Sequence, residues 1–391
     1  MHEYRYLIVG GGMAADAAAK GIRSRDSEAS IGLIGKESDP PYDRPPLTKG
    51  LWKGKDLDSI WRNTAERGVD LYLGREATRL EPDRHRVIDD AGNEYGYQKL
   101  LLATGGRPRR LPFGEQDVIY YRYAKDFRHL HRLAQSHSRF AVIGGGFIGS
   151  EIAAALAMNG KQVTQLFPDI GIGGLHFPPD LAQYMNEYFR QKGVRVLQGR
   201  LVEGIDRDDD QLVLHTNRGE DLSASSVLAG IGIVPNTRMA EEAGLDVSDG
   251  IEVNTKLQTS HEDVYAAGDV ARFYNAGLGK SLRVEHEDNA LTMGEMAGAA
   301  MAGEKIDYDY LPYFYSDLFD VGYEAIGELN PDLQLFSDWQ EPYRKGVVYY
   351  LDQGRVRGVL LWNVWDKVDD ARRLIYEPGP FKEADLRGRI Q

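Results

Sequence analysis

Two glycine-rich turns carry the first chemical signal in this sequence. Gly10-Gly11-Gly12-Met13-Ala14-Ala15 follows the apolar run 6–9, and Gly144-Gly145-Gly146-Phe147-Ile148-Gly149 follows the run 140–143. Such a turn lets the backbone approach a pyrophosphate, and the helix behind it offers free N–H groups with a partial positive charge. One turn of this kind says little, because many strand-to-helix turns need glycine for packing alone. Two in the same context imply two dinucleotides bound at once, the arrangement of a flavin enzyme that takes hydride from a nicotinamide. Gly10, Gly12, Ala14 and Ala15 would serve the first dinucleotide, and Gly146, Phe147, Ile148 and Gly149 the second.

Acids and cations near these turns supply the rest of the candidate chemistry. A carboxylate at the end of the following strand would bind ribose hydroxyls. Glu37 stands one position later than expected, after Lys36, and Asp169 ends the second unit's strand. No arginine follows Asp169 closely, which favours NADH over NADPH; both acids also fit ordinary loop positions. The stretch Pro41-Tyr42-Asp43-Arg44-Pro45-Pro46-Leu47-Thr48-Lys49 sets a rigid course that places Arg44 and Lys49. A cation held beside a flavin would stabilise its anionic reduced form; the same stretch also reads as a proline-rich surface loop. Ala103, Thr104 and Gly105, with Arg109 beyond them, follow one apolar strand, and Gly268 and Asp269 follow another, where small residues would let backbone meet a cofactor. Glu151 falls in the first turn of the second unit's helix, as a dipole partner or facing the gap between flavin and nicotinamide.

The elements that must position these groups alternate. Strand, glycine turn, helix and strand occur twice, with helices over 15–22 and 148–157 and second strands over 31–34 and 162–167. This alternation builds parallel, doubly wound sheets. Runs at 77–80, 86–88 and 100–103 read as a small antiparallel insert and a returning strand. A polar, basic segment, 120–138, leads into the second unit, and short strands follow at 194–198, 201–205 and 211–215 around a turn at Asp208-Asp209-Asp210. From Tyr313 the composition turns aromatic, with strands at 345–351 and 358–362 and a helix over 365–376. The expected fold is α/β: two Rossmann-like dinucleotide-binding domains, similar to those of glutathione-reductase-like proteins, plus a C-terminal α+β domain. The FAD-binding domain covers 1–112 and 240–312, the NADH-binding domain 113–239 and the α+β domain 313–391.

The 391 residues are 42% hydrophobic and 27% charged, enough for several cores. No apolar run is long enough to span a membrane, and the early first strand predicts no signal or transit peptide. A net charge of −13 disfavours nucleic acid and anionic membranes as partners. There is no cysteine, which excludes a redox disulfide, a persulfide relay and cysteine-held iron–sulfur within this chain and fits a reducing, cytoplasmic setting. The 9 histidines show no metal spacing, and His129 and His131 read as solvated surface, so no metal is expected.

Together the motifs resemble the two-dinucleotide flavoproteins, in particular the ferredoxin-reductase-like and apoptosis-inducing-factor-like subgroup. The likeness runs nearly the full length, through 41–52, 144–151, 165–169, 264–269, Val284-Glu285-His286, Tyr315-Ser316-Asp317, 320–327 and Leu361-Trp362-Asn363. It implies FAD on the first unit, contacted by Glu37, Arg44, Lys49, the Ala77 backbone, Arg109 and Asp269, with His286, its neighbour Glu287 and Tyr315 at the isoalloxazine. It implies NADH on the second, held through 146–149, Asp169 and Gly232, with Glu285, Glu324 and Asn363 nearer the nicotinamide. Lys49 and Glu151 would pair beside flavin N5. Two departures stand out: Lys36 occupies the usual place of the ribose acid, and Tyr315 that of a tryptophan.

The resulting expectation is an FAD-dependent NADH oxidoreductase whose stacked rings pass hydride from nicotinamide C4 to flavin N5. Its electron acceptor is open among a quinone, oxygen and a small redox protein. One reading is a redox-sensing, apoptosis-inducing-factor-like protein with a long-lived charge-transfer complex. The alternative is an NADH:ferredoxin or rubredoxin reductase; a slow oxidase or dye reductase is a further form. A homodimer is implied by the resemblance alone.

Overall fold

The computed structural model describes residues 2–390. The chain forms two compact units: Met1–Arg44, Asp56–Arg107 and Val234–Pro312 make the first, and Pro45–Lys55, Pro108–Ile233 and Tyr313–Gln391 the second.

The first unit is built on a seven-stranded sheet: six strands run in the order Val69–Leu73, Ile31–Gly35, His2–Val9, Glu94–Leu102, Arg86–Asp89, Ala77–Glu81, and the seventh, Val264–Ala266, pairs with Glu94–Leu102 off this path. Its centre is parallel, with Leu7 beside Gly32 on one side and Leu100 on the other. Central parallel strands are covered on both faces, which is why Leu7, Ile8, Leu33 and Leu100 are fully buried. The long strand Glu94–Leu102 is shared: its start pairs antiparallel with Arg86–Asp89, and its end parallel with Val264–Ala266. The insert and returning strand read from the sequence are therefore present, ending in the hairpin of Ala77–Glu81 with Arg86–Asp89. Helix Met13–Arg23 packs on helix Glu287–Met301 at very close range. A Cβ at Gly298 would lie 2.0 Å from the Ala18 carbonyl oxygen, so the Ala/Gly composition of both helices is a packing requirement.

In the second unit a five-stranded parallel sheet runs Val194–Gln198, Gln162–Phe167, Arg139–Ile143, Ser226–Ala229, Val118–Tyr120. A three-stranded antiparallel sheet, Val202–Asp208, Gln211–Thr216 and Asp221–Ala224, adjoins it in sequence. The C-terminal residues form a five-stranded antiparallel sheet in the order Tyr313–Leu318, Val321–Gly327, Arg355–Trp362, Lys345–Asp352, Gln334–Glu341. Helix Val368–Tyr376 covers it with Ala371, Leu374 and Ile375.

Several boundaries differ from the sequence reading for local reasons. The second-turn helix is Phe147–Met158, so Glu151 lies beyond its first turn and not, as the sequence predicts, within it. The C-terminal helix starts at Val368, because Asn363 and Asp366 adopt positive φ and hold the chain in a turn. The basic segment contains helix Ala124–Ser136, which buries Ala124, Phe127, Leu130 and Ala134. His129 and His131 are exposed, as expected, yet the His131 ring also stacks on Phe127 at 5.4 Å.

Candidate functional site

The first glycine turn is a backbone device. Gly10 has φ 131°, and a Cβ there would sit 2.1 Å from the Ala103 carbonyl oxygen, so strand end and turn meet without side chains. Helix Met13–Arg23 begins at Gly12 without a side-chain cap, and a Cβ on Gly12 would meet nothing nearer than Arg44 Nη2 at 3.9 Å. Uncapped N–H groups facing open space fit a pyrophosphate. Ala14 and Ala15 are buried in this helix; the Ala14 methyl faces Gly268, which has φ 77°.

The strand end at Ala103 is held by a residue the sequence reading missed. Asn236 donates its side-chain amide to the Thr104 carbonyl at 2.8 Å, its carbonyl accepts from the Thr104 hydroxyl at 2.8 Å, and its N–H bonds the Gly105 carbonyl at 2.9 Å. Glu37 is fixed as well: it accepts from Arg44 Nη2 at 2.7 Å and from the Tyr42 hydroxyl at 2.6 Å. Lys36, by contrast, makes an exposed ion pair with Glu76 at 2.7 Å, a contact of little energetic weight. Below the turn, fully buried Asp16 accepts from Arg62 Nε at 2.7 Å, Arg67 Nη1 at 2.8 Å and Thr64 Oγ1 at 2.6 Å. Arg62 also bonds Asp43, which ties this buried carboxylate to the stretch carrying Arg44. Ala77 opens the hairpin strand. Asp269 receives Arg283 Nη1 on its carbonyl at 3.1 Å, and the same guanidinium group binds Glu285 at 2.7 Å. His286 and Glu287 stand at the start of helix Glu287–Met301.

The second turn repeats the device. Gly144 has φ 118°, and a Cβ there would lie 2.2 Å from the Gly230 carbonyl oxygen. Gly149 approaches Gly144 as closely, and Gly146 faces open space at an uncapped helix start. Buried Gln165 staples the turn, donating to the Gly144 carbonyl at 3.0 Å and Ser150 Oγ at 3.1 Å. Phe147 lies flat against His176, with centroids 5.0 Å apart and planes 7° apart, and edge-on to Phe314 at 5.0 Å. Burial lowers the His176 pKa, and its bond to the Leu329 backbone opposes that shift. Arg109 and Gly232 are brought together, the Arg109 N–H donating to the Gly232 carbonyl at 2.9 Å. Each turn thus leaves an uncapped helix start facing open space, a lining that fits a pyrophosphate.

The second unit also holds a buried charged centre. Lys49 Nζ lies 2.5 Å from Glu151 Oε1, with side-chain exposures of 14% and 5%. The Tyr315 ring lies 5.4 Å from the same ammonium. Two residues not singled out from the sequence complete this centre: Thr48 Oγ1 donates to Glu151 Oε2 at 2.5 Å and Ser316 Oγ to Oε1 at 2.6 Å. Both lie inside stretches that had drawn attention, but a hydroxyl has no periodic signature. Glu324 has a buried oxygen, Oε2, without a hydrogen-bond partner, and burial, helped by Asp366, raises its pKa. Asn363 is differently engaged: its amide accepts from the Gly322 N–H and donates to the Arg344 carbonyl, both at 2.8 Å. Among the described residues, no cluster suits a metal ion and no helix is long and apolar enough to cross a membrane.

Comparison with known proteins places this architecture. The family model described as pyridine nucleotide-disulphide oxidoreductase matches residues 4–294, and that of the apoptosis-inducing factor, mitochondrion-associated, C-terminal region matches 333–377. The mitochondrial apoptosis-inducing factor 1 of Dictyostelium discoideum is 35% identical over 96% of this chain and 79% of its own. Monodehydroascorbate reductase 3 of Arabidopsis thaliana is 33% identical over 92% of this chain and 89% of its own. Among solved structures, the reductase of the covalent putidaredoxin reductase–putidaredoxin complex superposes with a TM-score of 0.92 at 30% identity, covering 99% and 96% of the two chains. FAD and NAD(P)H are the cofactors of such proteins. The chain belongs to the pyridine nucleotide-disulphide oxidoreductase family and is an FAD-containing NAD(P)H oxidoreductase.

Proposed function

We propose an NADH oxidoreductase in which the first glycine turn holds FAD, the second holds NADH, and electrons leave to a separate acceptor. The observation that carries this reading is the buried Lys49–Glu151 pair at 2.5 Å. When bound, the flavin supplies hydride acceptance and onward electron delivery. The chain's own residues bind, orient and tune. Gly10, Gly12, Ala14 and Ala15 admit the FAD pyrophosphate, and Glu37, oriented by Arg44 and Tyr42, receives the adenosine ribose. Ala77, Ala103, Thr104, Gly105, Arg109, Gly268, Asp269, His286, Glu287 and Tyr315 complete the FAD contacts. Residues 146–149, Asp169 and Gly232 bind NADH, with Glu285, Glu324 and Asn363 toward its nicotinamide end. Lys49 supplies positive charge for the reduced flavin, and Glu151 fixes Lys49.

A buried ion pair is a poor source of stability, so its retention calls for another role, here redox tuning. Lys49→Ala should slow flavin bleaching by NADH about tenfold or more, equivalent to losing one charge-assisted contact at the transition state. Stopped-flow reduction and a redox titration check this; an unchanged rate with an unchanged potential would sink it.

The acceptor reading we favour is redox sensing, supported by the C-terminal match at 333–377. A chain without cysteine cannot run an internal disulfide relay, and it suits a cytoplasmic setting. Anaerobic titration with NADH should then bleach the flavin and leave a persistent long-wavelength charge-transfer band. The second reading, reduction of a ferredoxin-type protein, is supported by the 0.92 TM-score to putidaredoxin reductase. It expects no lasting band and rapid reoxidation on adding such a carrier. A homodimer is the assembly to test by light scattering.

A further inference from the structure

Glu151 is a carboxylate whose two oxygens are both taken. Oε1 accepts from Lys49 Nζ at 2.5 Å and from Ser316 Oγ at 2.6 Å, and Oε2 accepts from Thr48 Oγ1 at 2.5 Å. All four side chains are largely withdrawn from water; Thr48, Glu151 and Ser316 are 6%, 5% and 1% exposed. An ammonium alone would satisfy one oxygen and leave the other buried without a donor, which is costly. The hydroxyls remove that cost, since between them they give each carboxylate oxygen a donor. The four side chains come from three separate stretches of chain, one of them the edge strand Tyr313–Leu318 of the C-terminal sheet.

We propose that Ser316 and Thr48 are positioning residues that hold the Glu151 carboxylate oriented toward Lys49, so that the C-terminal sheet's edge strand forms part of the redox centre. This rests on the reading of Lys49 and Glu151 given above. Adjacent residues on a strand point to opposite faces, yet Tyr315 and Ser316 both reach this centre, Tyr315 over the Lys49 ammonium and Ser316 on its counter-ion.

A further titratable group on which the Glu151 charge acts is Tyr323. Tyr323 pairs with Ser316 across the antiparallel ladder and is 1% exposed. Burial, and then the Glu151 charge, push its phenol far up, so it stays neutral while Ser316 neighbours it. Tyr350, on strand Lys345–Asp352, and Asp317, on the same strand as Ser316, also act on Tyr323. Lys49 is thus the cation facing Glu151, and the two hydroxyls are its neutral donors.

The test uses the FAD-loaded full chain. Ser316→Ala, Ser316→Thr, Thr48→Val, Lys49→Ala and Glu151→Gln are compared by pH–rate profile of NADH reduction and by flavin midpoint potential against pH. Loss of the Ser316 hydroxyl removes a donor to a charged acceptor, so the rate at neutral pH should fall roughly tenfold. The rate profile and the potential curve should be displaced together, the potential toward more negative values, because the Lys49 charge is no longer held in place. Thr48→Val, which keeps the side chain's shape, should act in the same direction, and Ser316→Thr should restore both curves. If Ser316→Ala and Thr48→Val lower the thermal midpoint but leave both curves in place while Lys49→Ala and Glu151→Gln move them, the hydroxyls are structural and the inference is wrong. If Lys49→Ala and Glu151→Gln also leave both curves unmoved, the reading beneath it fails.

Discussion

The two glycine turns share a geometry and differ in everything around it. Behind the first, Met13 and Ala14 are 5% and 8% exposed, while beside the second Ile148, Ile170 and Leu175 are 40%, 51% and 66% exposed. The first unit's acid, Glu37, is locked by Arg44 and Tyr42. No side-chain hydrogen bond or ion pair engages Asp169, its counterpart among the described residues. The first helix is anchored from below by Asp16 and two arginines, and the second by the neutral Gln165. Pre-organised groups lower the cost of binding, and exposed apolar side chains mark a surface that something covers part of the time. Under the proposed assignment, this contrast is the one expected between an occupant that stays and an occupant that leaves. A resident FAD and an exchanging NADH fit these two descriptions.

Substituting the turns themselves is the most severe way to separate them. Gly10→Ala and Gly144→Ala each force a side chain into positive φ and within about 2.2 Å of a carbonyl oxygen, as the distances of 2.1 and 2.2 Å show. Gly10→Ala should yield protein without flavin. Gly144→Ala should keep its flavin and lose NADH reduction about a hundredfold or more, since a misplacement of about 1 Å has that effect. The flavin-to-protein absorbance ratio and stopped-flow reduction measure the two losses. Loss of flavin from Gly144→Ala would break the comparison.

The supporting acids should part in the same way. Asp16→Ala leaves two arginines without a buried partner and should cost about 3–5 kcal/mol of stability, read by denaturant unfolding. Asp169→Ala should leave stability within about 0.5 kcal/mol and raise the KM for NADH roughly tenfold. A stability loss in Asp169→Ala comparable to that of Asp16→Ala would mean that the second turn is as rigidly braced as the first.

What the sequence made legible follows from periodicity. Parallel strands such as 162–167 and 194–198 are short apolar runs bounded by turns, and their ends agree with the structure to the residue. Glycine turns were legible because the backbone geometry excludes any side chain there. Helix starts were less so: residue 147 begins a helix because Gly146 ends the turn, and no side-chain cap marks the place. Lone polar residues acting at long range were hidden. Asn236 clamps Thr104 across 132 positions and Ser316 reaches Glu151 across 165, contacts with no local pattern. Thr48 and Gln165 lay within stretches already noted, yet nothing in composition distinguishes a stapling side chain from its neighbours.

The smallest effect expected is a pH response confined to the second turn. His176 stacks flat on Phe147 at 5.0 Å, and burial lowers its pKa below the ordinary histidine range. In the unfolded chain it takes up a proton near pH 6.5. Above that pH both states are neutral and the stacking contribution is complete. As pH falls toward the depressed folded value, the unfolded state binds the proton more readily, and stability is lost. His215 has the opposite sign: its hydrogen bonds to Asp221 and then Asp206 raise its pKa, so its contribution is present below about 6.5 and fades as pH rises. That histidine is at the surface, where solvent screens such pairs, so the acid-side trend of His176 should dominate. Thermal midpoints of wild type should therefore drop from pH 7.5 to pH 5, and His176→Gln should flatten the curve while raising the KM for NADH at neutral pH through the loss of the Phe147 stack. If the variant's curve overlays that of wild type, His176 does not brace the second turn, and the contrast between the two sites rests on their acids and exposed side chains alone.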